Sequence, residues 1–559
     1  MYNWEWFHGK KVTVMGLGSH GGGLGVAKWL MRHGARVTVT DLKGRSELKR
    51  PIEALMGEAG RAGKRGSGAR SFQPRFVLGR HDEKDFRGAD MVIRNPAVRK
   101  DNKYLKIAER KGIPVETDIS LFIALCPFSV TAVTGTKGKS TATALIGEIA
   151  KRHDPRAVVG GNIRISPFGF LDRLFTLAEK GKKGLPRTGA KRLVQGPPVI
   201  LEVSSWQLEA LEHHRVSPHI GVVTNVMEDH LNSYSGMAEY ARAKSLVLAY
   251  QTADDFAVVN VDDPMVMRMG EGRVPSGASF GGRRFPFSRR VLRGDGCFVR
   301  GGKIVIRDEG RERVLLPLSA LKLPGEHNVS NVLAACAAAY LMGIPVRMIA
   351  AAVRGFRGVP GRMEEVAVVR GVKYVNDTTA TMADASMAAM RAYGESGRSE
   401  RSERRGTPRR SSGQGRGKST PSLSPSPARR RGRDGGGGKS GRSGKRIVLL
   451  AGGADKGLRY EEWGRAAKKY CKAIVLFNGT ATPKLDRALK AVGYRGSTPH
   501  VDSMREAMRE ARNLAKRGDV VLLSPACASF GIFENEFDRG DQFVGAVKRV
   551  KAQSTKRKV

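Results

Sequence analysis

Short hydrophobic runs alternate with longer amphipathic segments along most of the chain. Lys10–Met15 has the apolar, β-branched composition of a buried strand, and a glycine cluster and a helix to about His33 follow it. A second apolar run, Arg36–Thr40, closes with Asp41. This order predicts a β-α-β unit, the building block of doubly wound parallel sheets.

The same alternation restarts twice, which predicts three α/β domains. The first domain ends near Cys126, and a strand–loop–helix pattern begins again at Ser129. We place an N-terminal Rossmann-like domain at residues 1–126, a central α/β domain at 127–352 and a C-terminal Rossmann-like domain at 353–559. Further strands are predicted at 91–94, 198–203, 220–225, 256–260, 365–369, 372–376, 446–450, 473–477 and 520–523.

One segment of the third domain lacks this pattern. Residues 395–445 consist almost wholly of Gly, Ser, Arg, Lys and Pro, with 15 basic and 4 acidic side chains. Such a composition cannot bury enough apolar surface to offset the conformational entropy that ordering would cost. We expect a disordered basic insert, which is either a tolerated surface loop or a contact region for nucleic acid or another partner.

Composition narrows the class of protein. The net charge is +45, but outside the insert the excess is scattered without interleaved aromatics, so we interpret it as solvated surface and expect no nucleic-acid partner. The five cysteines form no CxxC pair, which indicates free thiols in a reducing compartment. A signal-peptide pattern and a run of about 18 apolar residues are both missing, so we expect a cytoplasmic protein without a membrane segment.

The first glycine cluster, GLGSHG at residues 16–21, stands between a strand and a helix, with Asp41 after the next strand. Glycines at such a turn let the backbone approach a phosphate, whose charge the helix N-terminus favours. The acidic residue can accept a hydrogen bond from a ribose or a base. Taken alone, the fingerprint fits NAD, any other phosphate-bearing nucleotide, or purely structural turn glycines.

The second cluster, TGTKGKST at residues 134–141, also follows a strand and precedes a helix. Its backbone N–H groups are expected to cradle phosphates, Lys139 to reach the β- and γ-phosphate oxygens, and Ser140 to ligate Mg²⁺. Because Val133 stands where longer P-loops have glycine, this is a shortened loop whose turn begins at Gly135. The central domain is therefore expected to be of the P-loop ATPase type.

Three residues that follow this loop are candidate ligands or bases. Glu202 ends a predicted buried strand, where a carboxylate faces the crevice of an open α/β sheet, so it is a candidate metal ligand. His230 follows another strand, and Lys244 lies in a predicted helix. Taken singly, a hydrogen-bonded histidine or an exposed lysine is the more common explanation, but their order behind a phosphate loop favours a role in the site.

In this order, the motifs resemble those of the Mur ligase family. The likeness also covers GGNI at 160–163, SSWQL at 204–208, NVMEDH at 225–230, LPGEHNVSN at 323–331, FRGVPGRME at 356–364, VNDTTAT at 375–381, AGGADK at 451–456 and SPACASF at 524–530. The last segment is most similar to that of the members that add glutamate.

The resemblance implies an ATP-dependent ligase of peptidoglycan precursor synthesis. The N-terminal domain then holds the UDP end of an acceptor, UDP-N-acetylmuramoyl-L-alanine, which makes the first glycine cluster a UDP site instead of an NAD site. The acceptor carboxylate takes the γ-phosphoryl group of ATP, and the amino group of glutamate displaces phosphate from the acyl phosphate. Two Mg²⁺ ions and Lys139 offset the negative charge that gathers during transfer.

The resemblance also assigns residues to each ligand. The catalytic set is Lys139, Glu202, His230 and Lys244, and the metal ligands are Ser140, Glu202, His230 and a carbamylated Lys244. The ATP site is Gly135, Thr136, Lys137, Gly138, Lys139, Ser140, Thr141, Asn331, Arg362 and Asp377. The UDP-substrate site is Gly16, Gly18, Gly21, Asp41 and Asn162. The glutamate site is Thr381, Lys456, Ser529 and Phe530.

Two positions depart from the family pattern. Thr379 stands where the SKAT motif has lysine, and Gly361 stands where a histidine usually precedes Arg362. These departures leave Lys456 as the main cation assigned to glutamate. Two other functions are compatible with the sequence: a ligase step that adds L-alanine, and a nucleic-acid-associated P-loop ATPase, which would have no use for the SPACASF segment.

Overall fold

The chain folds into two compact units, Met1–Gly358 and Val359–Val559, which contain four β-sheets within the described residues. The computed structural model describes residues 3–17, 22–64, 73–96, 98–162, 165–182, 196–228, 234–270, 280–323, 325–403, 445–455, 457–529 and 531–556. The predicted boundary near Cys126 falls inside the first unit, whereas the division after Gly358 lies close to the boundary predicted at 352–353.

The first sheet is built from five parallel strands and follows a short 3-10 turn, Trp4–Phe7. Its strands are β1 Lys11–Met15, β2 Arg36–Asp41, β3 Arg75–Leu78, β4 Met91–Arg94 and β5 Val115–Glu116. Its helices are α1 Gly22–Arg32, α2 Lys49–Lys64, α3 Glu83–Arg87, α4 Lys103–Arg110 and α5 Asp118–Leu125. The order β3-β2-β1-β4-β5 changes direction between β1 and β4, so a ligand crevice opens at the carboxyl end of β1, where the first glycine cluster begins.

The second sheet has six parallel strands around β6. Its strands are β6 Val130–Thr134, β7 Val158–Gly161, β8 Val199–Glu202, β9 Ile220–Val223, β10 Phe256–Val259 and β11 Arg283–Arg284. Its helices are α6 Lys139–His153, α7 Phe168–Lys182, α8 Ser205–Leu208, α9 Leu211–His214, α10 Met237–Ser245 and α11 Pro264–Gly270. The order β11-β10-β9-β6-β8-β7 puts the change of direction at β6, so the phosphate loop that follows β6 lies at the crevice.

A small sheet in the first unit is a feature that the sequence analysis does not predict. Its strands are β12 Phe287–Ser288, β13 Gly296–Arg300, β14 Lys303–Asp308 and β15 Arg311–Pro317, and helices α12 Glu326–Leu341 and α13 Val346–Gly355 follow, after a 3-10 turn at Leu318–Ala320. Strands β13, β14 and β15 are antiparallel, and Gly301 and Gly302 join the first two with φ of 54° and 70°. Two glycines at positive φ between alternating strands form a hairpin turn, so the signal was present in the sequence.

The second unit contains one six-stranded sheet. Its strands are β16 Glu364–Val369, β17 Val372–Asn376, β18 Ile447–Gly452, β19 Cys471–Phe477, β20 His500–Val501 and β21 Val520–Leu523. Its helices are α14 Ala383–Glu403, α15 Glu461–Tyr470, α16 Thr482–Ala491, α17 Met504–Leu514 and α18 Glu536–Lys556. In the order β16-β17-β21-β18-β19-β20 only β16 is antiparallel to its neighbour. Helix α14 continues past Glu395, and residues 404–444 of the predicted insert lie outside the described residues.

Apolar packing joins the first two sheets into one unit. Trp29 of α1 packs against Phe168 of α7 with ring centroids 5.4 Å apart, and Phe122 of α5 contacts the same Phe168 ring at 6.0 Å. The carboxylate of Asp172, also on α7, accepts a hydrogen bond from Trp29 Nε1 at 2.7 Å. These contacts belong to one continuous buried cluster, which explains why no division falls at the predicted boundary between the two sheets.

The described elements confirm the α/β class with parallel sheets that the sequence predicts. All five cysteines are free, and four of them are buried. Among the helices of the described ranges, none combines the length and the apolar character needed to cross a lipid bilayer.

Candidate active site

The phosphate loop that follows β6 contains two glycines in backbone conformations that other residues adopt only with strain. Gly135 has φ +146° and Gly138 has φ +82°, and Gly138 is the N-cap of α6. A side chain at Gly138 would overlap the amide oxygen of Asn331, and one at Gly135 would overlap the hydroxyl of Thr224. The loop therefore requires glycine at both positions.

The loop that follows β9 braces the phosphate loop. Asn225 accepts from the Thr136 backbone N–H through its carbonyl at 2.9 Å and from the Lys137 N–H through its side-chain oxygen at 2.8 Å. Asn225 Nδ2 and Thr224 Oγ1 both donate to the Lys137 carbonyl, at 2.9 and 2.7 Å. Thr136 Oγ1 in turn accepts from the Met227 N–H at 3.0 Å. These bonds fix the loop so that the first turn of α6 can present its N–H groups to an anion.

Two lysine side chains converge on one carbonyl of this loop. Lys139 Nζ donates to the Gly135 oxygen at 2.8 Å and to the Thr136 oxygen at 3.1 Å. Lys244 of α10, only 1% exposed, donates to the same Gly135 oxygen at 3.0 Å and lies 4.5 Å from the centre of the Tyr240 ring. The structure thus brings the predicted catalytic lysines together at the phosphate loop.

Glu202 is a buried carboxylate beside this loop. It ends β8, pairs in register with Val133 of β6 and is 2% exposed. Its Oε1 accepts from Asn162 Nδ2 at 2.9 Å, whereas Oε2 is buried and has no hydrogen-bond partner among the described residues. A buried carboxylate oxygen without a partner is costly unless a donor or a cation is bound there, so the site fits a metal ion.

The expected metal set is only partly described. Ser140 lies in the first turn of α6 and is half-buried, whereas His230 lies outside the described residues. Within the described ranges no group of three His, Cys, Asp or Glu side chains is arranged to hold a metal. Of the four predicted metal ligands, only Glu202 and His230 are of these residue types; the other two are Ser140 and a carbamylated Lys244.

Asn331 and Thr141 complete the ATP-site residues of the first unit. Asn331 of α12 is buried against Gly138, and its Nδ2 donates to Asn328 Oδ1 at 3.2 Å. Thr141 is buried in α6. Both therefore lie at or next to the phosphate loop, and their contact with ATP stays a prediction.

In the first sheet, Asp41 holds the start of the glycine cluster. Its Oδ2 accepts from the Leu17 N–H at 3.0 Å, and the Gly16 N–H donates to the Thr40 carbonyl at 2.8 Å. Gly16 has φ +86°, and Asn95 Nδ2 donates to its carbonyl at 3.4 Å. Gly18 and Gly21, which the UDP site also includes, lie outside the described residues.

In the second unit, Asp377 joins two loops at the carboxyl edge of the sheet. Its Oδ2 accepts from Ser524 Oγ at 2.9 Å and its Oδ1 from the Met363 N–H at 3.1 Å. Burial raises the pKa of Asp377 to about 7, although both hydrogen bonds act in the opposite direction. Arg362, assigned to ATP with Asp377, is exposed.

The predicted glutamate residues are described in part. Thr381 is half-buried, and Ser529 is 2% exposed with a hydroxyl that has no partner among the described residues. Lys456 and Phe530 lie outside the described residues. A buried hydroxyl without a partner is costly unless another polar group contacts it, so Ser529 fits a ligand contact.

The two departures from the family pattern contact each other. The backbone N–H and the hydroxyl of Thr379 both donate to the Gly361 carbonyl, at 3.1 and 3.0 Å. Gly361 has φ +75°, and a Cβ there would lie 2.9 Å from Thr378 Cγ2. The two positions that depart from the family pattern therefore belong to one hydrogen-bonded turn.

Sequence reasoning missed several residues that organise the site. Thr224 and Asn225 brace the phosphate loop, and Arg94 joins the first sheet to the end of helix α8 by donating to Glu209 Oε2 at 2.7 Å. All three share a signal: a polar side chain at or directly after the end of a buried strand. That signal does not reveal their partners, which are far away in the chain.

A parallel α/β domain with a short phosphate loop at its switch point, a buried carboxylate on the neighbouring strand β8 and two lysine side chains on the Gly135 carbonyl has the features of a P-loop nucleotide-binding enzyme. Residues 133–339 match the Mur ligase middle domain. The chain is 36% identical over 544 residues to a UDP-N-acetylmuramoylalanine–D-glutamate ligase of Roseiflexus sp., which covers 96% of this chain and 97% of the relative. The chain belongs to the UDP-N-acetylmuramoylalanine–D-glutamate ligase family.

Two further comparisons agree. A ligase of the same name from Pelotomaculum thermopropionicum is 34% identical, over 98% of this chain and 99% of the relative. The crystal structure of a UDP-N-acetylmuramate–alanine ligase from Thermotoga maritima superimposes with a TM-score of 0.50 at 17% identity, over 97% of this chain and 100% of that one. The second comparison supports the fold.

The close approach of Gly138 to Asn331 yields a first prediction. Gly138→Ala should weaken ATP binding at least tenfold, because a side chain at φ +82° is strained and must displace the Asn331 amide beside the loop. Titration calorimetry with ATP measures the effect. Gly169→Ala, in helix α7 with nothing within 4 Å, is the matched control and should bind ATP like the wild type. Unchanged ATP affinity in Gly138→Ala would contradict the role given to this turn.

Burial of Asp377 gives a prediction about pH. Its pKa rises from 3.8 to about 7 on folding, so between these values the native state holds a proton that the unfolded state has lost. The free energy of unfolding therefore falls as pH rises from about 4 to 7. Asp377→Asn has no carboxyl group to titrate, so its free energy of unfolding should not fall in this way. Relative to the wild type, its free energy of unfolding should rise by roughly 3 kcal/mol between pH 5 and pH 8, at about 1.4 kcal/mol per pH unit below the pKa of Asp377. Denaturant unfolding at both pH values measures it, and a constant difference would show that Asp377 stays ionised.

Proposed function

We propose that this chain is an ATP-dependent ligase that joins D-glutamate to UDP-N-acetylmuramoyl-L-alanine in the synthesis of peptidoglycan precursors. The observation that carries the proposal is the phosphate loop with Lys139, Lys244 and Glu202 around it, in a chain that matches ligases of this name over nearly its whole length. The first sheet offers a crevice for the UDP end of the acceptor, and the second unit offers the loops with Thr381 and Ser529 for glutamate.

The first chemical step is transfer of the γ-phosphoryl group. An oxygen of the acceptor carboxylate attacks the γ-phosphorus, the bond to the bridging oxygen of ADP breaks, and an acyl phosphate forms. Lys139 now holds the carbonyls of Gly135 and Thr136, and we expect it to exchange them for β- and γ-phosphate oxygens when ATP binds. The N–H groups at the start of α6 take the remaining phosphate oxygens.

The second step forms the amide. The neutral amino group of glutamate attacks the acyl carbon, phosphate leaves with the electron pair of the broken C–O bond, and the amine loses a proton. Thr381 and Ser529, with Lys456 and Phe530 from the sequence, are the residues that would orient glutamate. Exclusion of water during this step protects the acyl phosphate from hydrolysis.

Magnesium fits the first unit because Glu202 keeps one buried oxygen without a partner among the described residues. Ser140 and Glu202 would hold one ion, and His230 with a carbamylated Lys244 would hold the second. When bound, the ions reduce the repulsion between the acceptor carboxylate and the γ-phosphate.

A carbamylated Lys244 explains why a lysine lies buried at a phosphate loop. An ammonium group at this place would repel Mg²⁺, whereas a carbamate is an oxygen ligand of the kind that Mg²⁺ prefers. The neutral amine adds to CO₂ and releases one proton, so no other reactant is needed. The hydrogen bond of Lys244 Nζ to the Gly135 carbonyl of the phosphate loop supports this assignment.

The decisive experiment is phosphate release with each substrate left out in turn. Release should need ATP, UDP-N-acetylmuramoyl-L-alanine and D-glutamate together, and Lys139→Ala should abolish it. Lys151→Ala, an exposed lysine of the same helix, is the control and should keep wild-type turnover. Release with UDP-N-acetylmuramate and L-alanine instead would assign the alanine-adding step. Release without any acceptor, or stimulated by DNA or RNA, would refute the ligase.

A separate prediction concerns the carbamate. Lys244→Ala should be nearly inactive and should recover part of its activity with a small added carboxylate such as acetate, because the carboxylate can replace the missing oxygen ligand. Phosphate release measured with and without acetate gives the result. Recovery should be absent in Lys139→Ala, which lacks a cation and not an oxygen ligand. Wild-type turnover of Lys244→Ala without acetate would show that no ligand is supplied from this position.

A further inference from the structure

Arg539 of the second unit is a fully buried guanidinium. It lies in the first turn of α18 and is 0% exposed. Arginine is rarely buried unless it is paired, and the N-terminal end of a helix carries a partial positive charge that disfavours a cation. Burial lowers the pKa of Arg539 to about 9, which still leaves it protonated at neutral pH. The fold therefore keeps a positive charge inside the unit at considerable cost.

The partners of Arg539 are neutral. Its Nε donates to Thr378 Oγ1 at 3.1 Å, its Nη2 to the Thr378 carbonyl at 2.9 Å, and its Nη1 makes a long contact to the Cys527 carbonyl at 3.5 Å. None of the ion pairs within the described part of this unit includes Arg539. Oxygen dipoles satisfy its N–H groups, but they do not neutralise its charge.

These partners belong to the two loops that carry the predicted glutamate residues. Thr378 follows β17 and leads to Thr381, and Cys527 follows β21 and leads to Ser529. The strands β17 and β21 are parallel neighbours, and the Ala526 N–H donates to the Ala380 carbonyl at 2.9 Å. One guanidinium therefore ties together both loops at the carboxyl edge of the sheet.

The Cys527 loop also carries a buried polar group without a hydrogen-bond partner among the described residues. The buried hydroxyl of Ser529 has no acceptor among the described residues. A buried donor without an acceptor and a buried cation without an anion are satisfied by the same kind of ligand, an anion. Thr379 does not supply the charge of the family lysine, because it is neutral and both its N–H and its hydroxyl donate to Gly361.

We propose that Arg539 is a positioning residue for the incoming glutamate: it fixes the Thr378 and Cys527 loops and supplies the positive potential for a glutamate carboxylate that a lysine at position 379 would otherwise supply. In the low dielectric of a buried site a charge acts over several ångströms without direct contact. The inference rests on the proposed function only in taking glutamate as the incoming amino acid.

Steady-state kinetics on the full chain tests the proposal. Arg539→Met, which removes the charge at similar length, should raise the KM for glutamate about tenfold or more, the effect of losing one charge-assisted interaction, with less than threefold change in the KM for ATP and for the acceptor. Arg539→Lys, which keeps the charge but not the fork, should lie between wild type and Arg539→Met. Arg549→Met, at an exposed arginine of the same helix, is the matched control and should behave like wild type.

A compensating substitution separates charge from packing. Adding Thr379→Lys to Arg539→Met should lower the KM for glutamate several-fold towards the wild-type value, which repair of packing alone would not do. If Arg539→Met does not fold, as judged by thermal unfolding, Arg539→Lys with and without Thr379→Lys carries the same comparison. Equal changes in all three KM values, or no gain from Thr379→Lys, would reduce Arg539 to a structural role. A wild-type enzyme that does not need glutamate would instead overturn the proposed function.

Discussion

The N–H groups at the start of α6 must stay open to the nucleotide, so the other polar groups of the phosphate loop have to be held by neighbouring residues. In this chain the neighbours are the ends of adjacent strands. Asn225 after β9 accepts hydrogen bonds from the Thr136 and Lys137 N–H groups and donates one to the Lys137 carbonyl, and Glu202 ends β8 on the other side of β6. The parallel sheet is what makes this possible, because it brings the carboxyl ends of β9, β6 and β8 side by side. The positions of Lys139 and Lys244 on the Gly135 carbonyl depend on that frame.

Much of the fold could be predicted from the sequence, since buried parallel strands are short apolar runs and the segments between them have helical spacing. This pattern identifies the strands β6, β8 and β9, at whose ends Gly135, Glu202 and Asn225 lie. The motifs that follow these strands indicate the candidate site. The four-stranded sheet at residues 287–317 was missed because its strands are half-exposed and broken by turns, although Gly301-Gly302 marks one hairpin.

What the sequence could not reveal are contacts between residues far apart in the chain. Spacing gives no sign that Arg539 reaches Thr378, or that Asn162 donates to Glu202. Each pair joins two elements that are far apart in the chain. These elements become neighbours only because of the order of the strands in the sheet. For the same reason Thr379 and Gly361 look like two separate departures from the family pattern until the hydrogen bonds between them are known.

The hydrogen bonds between Gly361 and Thr379 make these two positions structurally dependent on each other. A histidine at 361 must adopt φ +75° and push against Thr378, while a lysine at 379 gives up a hydroxyl that donates to the Gly361 carbonyl. Each of these two changes therefore alters the same small set of contacts around the Gly361 carbonyl. Thr378, which a side chain at position 361 would meet, is also the residue that holds Arg539, so a change at position 361 acts on the guanidinium as well.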